Sequence, residues 1–119
     1  MKIGIIGAGN IGGTLTRRFT ALEHKVFVAN SRGPETLADL ASETGATSVT
    51  VEQAAQAGDV VIVTIPLKNV PSLPAGLFAN TPTNVVVVDI GRALAKASRE
   101  RTHEWRATAL SPGTYASLA

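Results

Sequence analysis

Met1-Lys2-Ile3-Gly4-Ile5-Ile6-Gly7-Ala8-Gly9-Asn10-Ile11-Gly12 opens the chain, and these residues decide its fold. Residues 2–6 form an apolar run that stops at a glycine, the pattern of a strand buried on both faces of a parallel sheet. Gly7, Gly9 and Gly12 follow at the spacing G-x-G-x-x-G, with Ile11, Leu15, Phe19 and Leu22 at helical intervals behind them. A strand running through that spacing into a helix predicts a phosphate-binding turn. Gly7 permits the tight turn, Gly9 lets the backbone approach a pyrophosphate, and Gly12 lets the helix pack close to the strand. The free N–H groups and positive end of the helix, from Asn10 and Ile11 onward, then face the phosphates.

Outward from this unit, strand and helix alternate. Residues 25–29 form a second apolar run, and Pro34 stands at the first turn of the next helix, which Gly45 ends. Residues 47–49 are a short third strand. Thr50-x-x-Gln53 is a capping box that opens an Ala-rich helix ending near Gly58. Residues 59–65 and 84–90 are the fourth and fifth strands, separated by a loop containing Pro71, Pro74 and Gly76. The expected fold is α/β, a doubly wound parallel sheet in the order 3-2-1-4-5, with the ligand at the switch point between strands 1 and 4. The domain spans residues 1–90, and no sixth strand is expected. Residues 91–119 contain no Val, Ile or Phe but hold the only Trp (Trp105) and Tyr (Tyr115). They read as an atypical basic segment with one amphipathic helix through Leu94, Ala97, Trp105 and Leu110.

The 119 residues contain no cysteine, which excludes disulfides, thiolate metal sites and cysteine nucleophiles, and fits a cytoplasmic protein. The longest apolar run, residues 60–67, is too short to cross a bilayer, so no membrane partner is expected. Net charge is +2, with the excess in Arg92, Lys96, Arg99, Arg101 and Arg106. Acids and His103 are interleaved with these bases and no aromatic repeat accompanies them, so a solvated face is expected rather than a nucleic-acid site. No Ser-His-Asp set, acidic dyad or metal-ligand spacing occurs.

The second strand ends in Asn30-Ser31-Arg32. NAD-dependent enzymes place an Asp or Glu there to bind the ribose 2′-hydroxyl. Asn30 repels no 2′-phosphate, Ser31 can donate a hydrogen bond to it, and Arg32 can pair with it. Such a charge-assisted contact contributes on the order of 1.5–3 kcal/mol, roughly ten- to hundredfold in affinity. The expected cofactor is therefore NADP(H), although the same three residues also suit an ordinary turn with an exposed arginine. Thr64, Ile65 and Pro66 close the fourth strand beside the glycine turn. They either line the nicotinamide half of the cofactor or simply end the strand. Lys68 and Asn69 read as exposed loop residues, and Asp89 as a cap for the turn after the fifth strand.

With these turns placed, the chain resembles the NADP oxidoreductases that depend on the deazaflavin coenzyme F-420, within the 6-phosphogluconate-dehydrogenase-like group. Residues 7–15 (GAGNIGGTL), 24–37 (HKVFVANSRGPETL), 64–67 (TIPL) and 85–89 (VVVVD) carry the likeness, which covers residues 1–89. It implies cofactor contacts at Gly7, Gly9, Asn10, Ile11 and Gly12, a 2′-phosphate site at Ser31 and Arg32, and a nicotinamide lining at Thr64, Ile65 and Pro66. It also implies direct hydride transfer between stacked rings, in which position replaces side-chain acid–base catalysis. Members of the family run to roughly twice this length as single domains. The segment after residue 89 therefore reads as a truncation, a frameshift or a divergent short form. The functional expectation is an NADP(H)-dependent oxidoreductase that uses a flat conjugated small-molecule acceptor and is completed as a homodimer. The alternative is a minimal NADP(H)-binding module without turnover.

Overall fold

Val and Ile dominate the runs that become strands, because β-branched side chains pack well on a sheet covered on both faces. The computed structural model describes residues 1–30, 32–64, 77, 81, 85–90 and 109–110. Strands β1 (Lys2–Ile6), β2 (Lys25–Ala29), β3 (Thr47–Ser48), β4 (Val60–Val63) and β5 (Val86–Asp89) form a parallel sheet in the order 3-2-1-4-5. Helices α1 (Asn10–Ala21), α2 (Ala38–Thr44) and α3 (Val51–Ala57) lie between them in the chain. This is the expected doubly wound topology, and its switch point falls between β1 and β4.

The period-2 alternation of the strands sorts their side chains onto two faces. Ile3 and Ile5 stand level with Val26 and Val28, and they join Leu37, Ala46 and Ile62 in a core that Leu15 and Phe19 of α1 and Leu40 of α2 complete. On the opposite face Ile6, Val61, Val63 and Val87 pack with Ala54 and Ala55 of α3, and with Leu77 and Val85. Val28, Val61, Val63 and Val87 are fully buried. Burying a side chain of this size stabilises the fold by about 1.5–3 kcal/mol.

Several local signals act as read. Gly45 caps α2 at φ 82°, in the left-handed region. Thr50 and Gln53 form both halves of the capping box of α3, at 3.2 and 2.9 Å. Two features differ from expectation. Pro34 begins a turn of 3-10 helix (Pro34–Leu37), and α2 starts only at Ala38, so the helix after β2 is shorter than its apolar spacing implies.

The chain also carries a sixth strand. β6 (Ala109–Leu110) pairs antiparallel with β5, Val87 opposite Leu110 and Val88 opposite Ala109. Its two residues sit in a segment without Val or Ile, so no strand pattern marked them. The backbone of β5 offers a ladder edge to whatever segment reaches it. Leu110, assigned to a helix on its spacing, is thus in a strand. The remainder of the helix expected in residues 91–119 lies outside the described residues. Among the described residues no helix is long and apolar enough to cross a membrane.

Candidate functional site

Parallel pairing brings the C-terminal ends of β1, β2, β4 and β5 into one row. Ile6 is level with both Ala29 and Val63, and Val63 with Asp89. Gly7, Asn30, Thr64 and Ile90 therefore emerge together at one edge of the sheet. Gly7 N–H donates to the Ala29 carbonyl at 2.7 Å, and Thr64 N–H to the Ile6 carbonyl at 2.9 Å. Each extends the ladder by one bond before the connections diverge.

The glycine turn is built as its spacing requires. Gly7 has φ 105°, a conformation that an L side chain strains to adopt. A Cβ on Gly12 would overlap the Gly7 carbonyl oxygen and lie 2.8 Å from both the Gly7 carbonyl carbon and Thr64 Oγ1. A Cβ on Gly9 would meet nothing within 4 Å, so the backbone here is open to an approaching group. Gly9 is the N-cap of α1. It brings no side chain to cap the helix, and the first turn contains no acid, which leaves the positive helix end facing outward. Asn10 opens α1, and Ile11 beside it is exposed on the first turn.

Thr64 has a role that the sequence did not reveal. Its Oγ1 donates to the Gly7 carbonyl at 2.7 Å and lies 3.3 Å from that of Ile6, so the end of β4 holds the glycine turn. The two residues are far apart in the chain, and no local pattern links them.

The turn after β2 is organised by Asn30. Its Oδ1 accepts from the N–H groups of Arg32 and Gly33, both at 3.0 Å, and its Nδ2 donates to Thr36 Oγ1 at 2.9 Å. The Thr36 hydroxyl donates in turn to the Gly33 carbonyl at 2.7 Å. The Asn30 carboxamide is thus occupied in shaping the turn, and Arg32 is the group the turn presents. Arg32 is exposed, and its guanidinium pairs with no acid among the described residues. Pro34, read as the first turn of a helix, instead opens a four-residue 3-10 turn that carries the acid Glu35, so this end of the groove offers no strong positive potential besides Arg32.

A groove of about 630 Å³ connects the two turns, running from Ala8 and Gly9 past Gly13 to Arg32 and Thr36. Its far wall carries Arg17 of α1, whose Nε and Nη2 donate to Oε1 and Oε2 of Glu43 on α2 at 3.4 and 3.2 Å. Arg17 had no distinguishing mark in the sequence, because an arginine on a solvated helix face is common. Ser31, Ile65, Pro66, Lys68 and Asn69 lie outside the described residues. Asp89 ends β5, so its backbone belongs to the ladder.

Solved structures share this architecture. The D-lactate dehydrogenase of Sporolactobacillus sp. is 30% identical with a TM-score of 0.60, over 85% of this chain and 32% of that one. The formate dehydrogenase of Granulicella m. is 25% identical with a TM-score of 0.60, over 75% of this chain and 24% of that one. The arogenate dehydrogenase of Synechocystis, 17% identical, shares the fold with a TM-score of 0.64 over 76% of this chain and 32% of that one. The chain thus spans between about a quarter and a third of the length of these structures. No curated protein matches it significantly. The model of one family, NADP oxidoreductase coenzyme F420-dependent, matches residues 2–93, which take in the glycine turn, the Asn30 turn and all five parallel strands. The chain belongs to that family of NAD(P)-dependent oxidoreductases.

Proposed function

We propose that the chain binds NADP(H), rather than NAD(H), and serves hydride transfer to a flat conjugated acceptor of the deazaflavin or flavin type. One observation carries the cofactor choice: the residue that follows β2, Asn30, is an uncharged amide engaged in its own turn, and Arg32, unpaired with any acid among the described residues, lines the groove that begins at Gly9. The surroundings fit a dinucleotide. Gly9 is open to a pyrophosphate, Gly12 keeps α1 close to β1, and the uncapped first turn of α1 offers N–H donors.

The cofactor, when bound, supplies the hydride. The chain's own residues position it. Arg32, with Ser31 next to it in sequence, holds the 2′-phosphate. The backbone from Gly7 to Gly12, with Asn10 and Ile11, holds the pyrophosphate side, and Thr64, Ile65 and Pro66 border the nicotinamide end. Position accounts for the rate, without a side-chain acid or base. The acceptor is held in part by a second copy of the chain, as a homodimer.

Arg32→Ala tests the cofactor assignment. NADPH affinity should fall by roughly ten- to hundredfold, with NADH affinity nearly unchanged. Equal losses for both would refute it. Oxidation of NADPH by the deazaflavin coenzyme, FMN, FAD or ferric chelates tests the chemistry. Tight NADPH binding without turnover on any of them would make the chain an NADP(H)-binding module instead.

A further inference from the structure

We infer that Arg17 is a second cation for the 2′-phosphate, and that Glu43 competes with the phosphate for it. The inference rests on the reading that NADP(H) occupies the groove. Arg17 stands on α1 and reaches across to α2, where Nε and Nη2 hold both carboxylate oxygens of Glu43 at 3.4 and 3.2 Å. The remaining amine, Nη1, turns back toward the first turn of α1, where a Cβ on Gly13 would lie 3.4 Å from it. Gly13 directly follows the last glycine of the turn. The guanidinium therefore lies over bare helix surface next to the phosphate turn, in the wall of the groove that Arg32 also lines.

The charges of the groove favour an exchange. Its lining holds two cations, Arg17 and Arg32, and two acids, Asp39 and Glu43. Among the described residues only Arg17 of these two is paired with an acid, and both members of that pair are more than half exposed, at 53% and 58%. An exposed pair of this kind is screened and contributes little. Releasing it leaves Glu43 in water rather than buried, so no desolvation opposes the release. A phosphate dianion with several acceptor oxygens is a stronger partner for the planar guanidinium than one carboxylate. The long exposed side chain can exchange partners by rotamer changes alone. NADH carries a neutral hydroxyl in place of this phosphate, so the exchange concerns only the phosphorylated cofactor.

The two partners then have opposite effects. Arg17→Ala should weaken NADPH roughly three- to tenfold, and Glu43→Gln should tighten it roughly two- to fivefold by freeing Arg17. NADH affinity should not respond to either. Adenosine 2′,5′-bisphosphate against adenosine 5′-monophosphate, titrated calorimetrically, should repeat the pattern without a nicotinamide. If the pair only bolts α1 to α2, both variants would instead lower the melting temperature and weaken NADPH and NADH together, which would overturn the inference. Arg32→Ala separates the two readings. If it fails to discriminate NADPH from NADH, the NADP(H) assignment fails. If it discriminates and Arg17→Ala does not, only the role of Arg17 fails.

Discussion

Replacing Asn30 by alanine and by aspartate separates two roles that coincide in one side chain. The alanine variant loses an acceptor for the N–H groups of Arg32 and Gly33, both at 3.0 Å, and a donor to Thr36 at 2.9 Å. A protein hydrogen bond contributes about 0.5–1.5 kcal/mol net, and the exposed ones recover part of that from water. Two of these three are exposed, so the expected loss is about 1–2 kcal/mol. In a chain of this size it corresponds to a fall of about 4–10 °C in Tm.

The aspartate variant keeps the acceptor for both N–H groups, and the Thr36 hydroxyl, 3.2 Å from Oδ1, can turn its one proton from the Gly33 carbonyl to the carboxylate, exchanging one bond for another. Its Tm should therefore stay within about 2 °C of the parent. Its cofactor preference should change, because it restores the acid that NAD-dependent enzymes carry at the end of this strand. A carboxylate beside a phosphate dianion costs on the order of 1–3 kcal/mol at a partly solvated site, roughly five- to hundredfold in Kd. Thermal unfolding followed by circular dichroism, with titrations of NADPH and NADH, reads both effects. An alanine variant with unchanged Tm would refute the role of Asn30 in the turn. An aspartate variant with an unchanged NADPH-to-NADH ratio would refute the claim that the end of β2 sets the cofactor choice.

Gly12→Ala forces a Cβ into the Gly7 carbonyl, so the turn must open. Overpacking of this kind costs about 1–3 kcal/mol, and both cofactors should lose affinity together; a variant that binds either one normally would contradict the packing role of Gly12. Thr64→Val keeps the branched shape but removes the 2.7 Å bond to the Gly7 carbonyl. It should cost about 0.5–1.5 kcal/mol in thermal unfolding and weaken NADPH and NADH in parallel, unlike Arg32→Ala. Full affinity for both would show that the end of β4 does not hold the glycine turn.

The sequence alone determined whatever depends on neighbouring residues. The glycine turn, the capping box at Thr50 and Gln53 and the left-handed cap at Gly45 are local devices, in which a few adjacent residues satisfy each other's backbone groups. Apolar periodicity placed five strands, and right-handed crossovers then permitted few sheet orders besides 3-2-1-4-5. Arg32 was legible for the same reason, since it sits at a set distance past the glycine turn.

Only the tertiary structure decided the rest. Thr64 meets Gly7 across |i−j| = 57, and Arg17 meets Glu43 across |i−j| = 26, through contacts made by folding and not by proximity in the chain. Helix propensity could not show that the chain after Pro34 tightens into a 3-10 turn, with Leu37 buried against the sheet. Nor could composition show that Ala109 and Leu110 pair with β5, because an open strand edge selects its partner by backbone hydrogen bonds, to which side-chain patterns are indifferent. The glycine turn is thus written in local chemistry. The charges and ties that surround it arise only when distant segments meet.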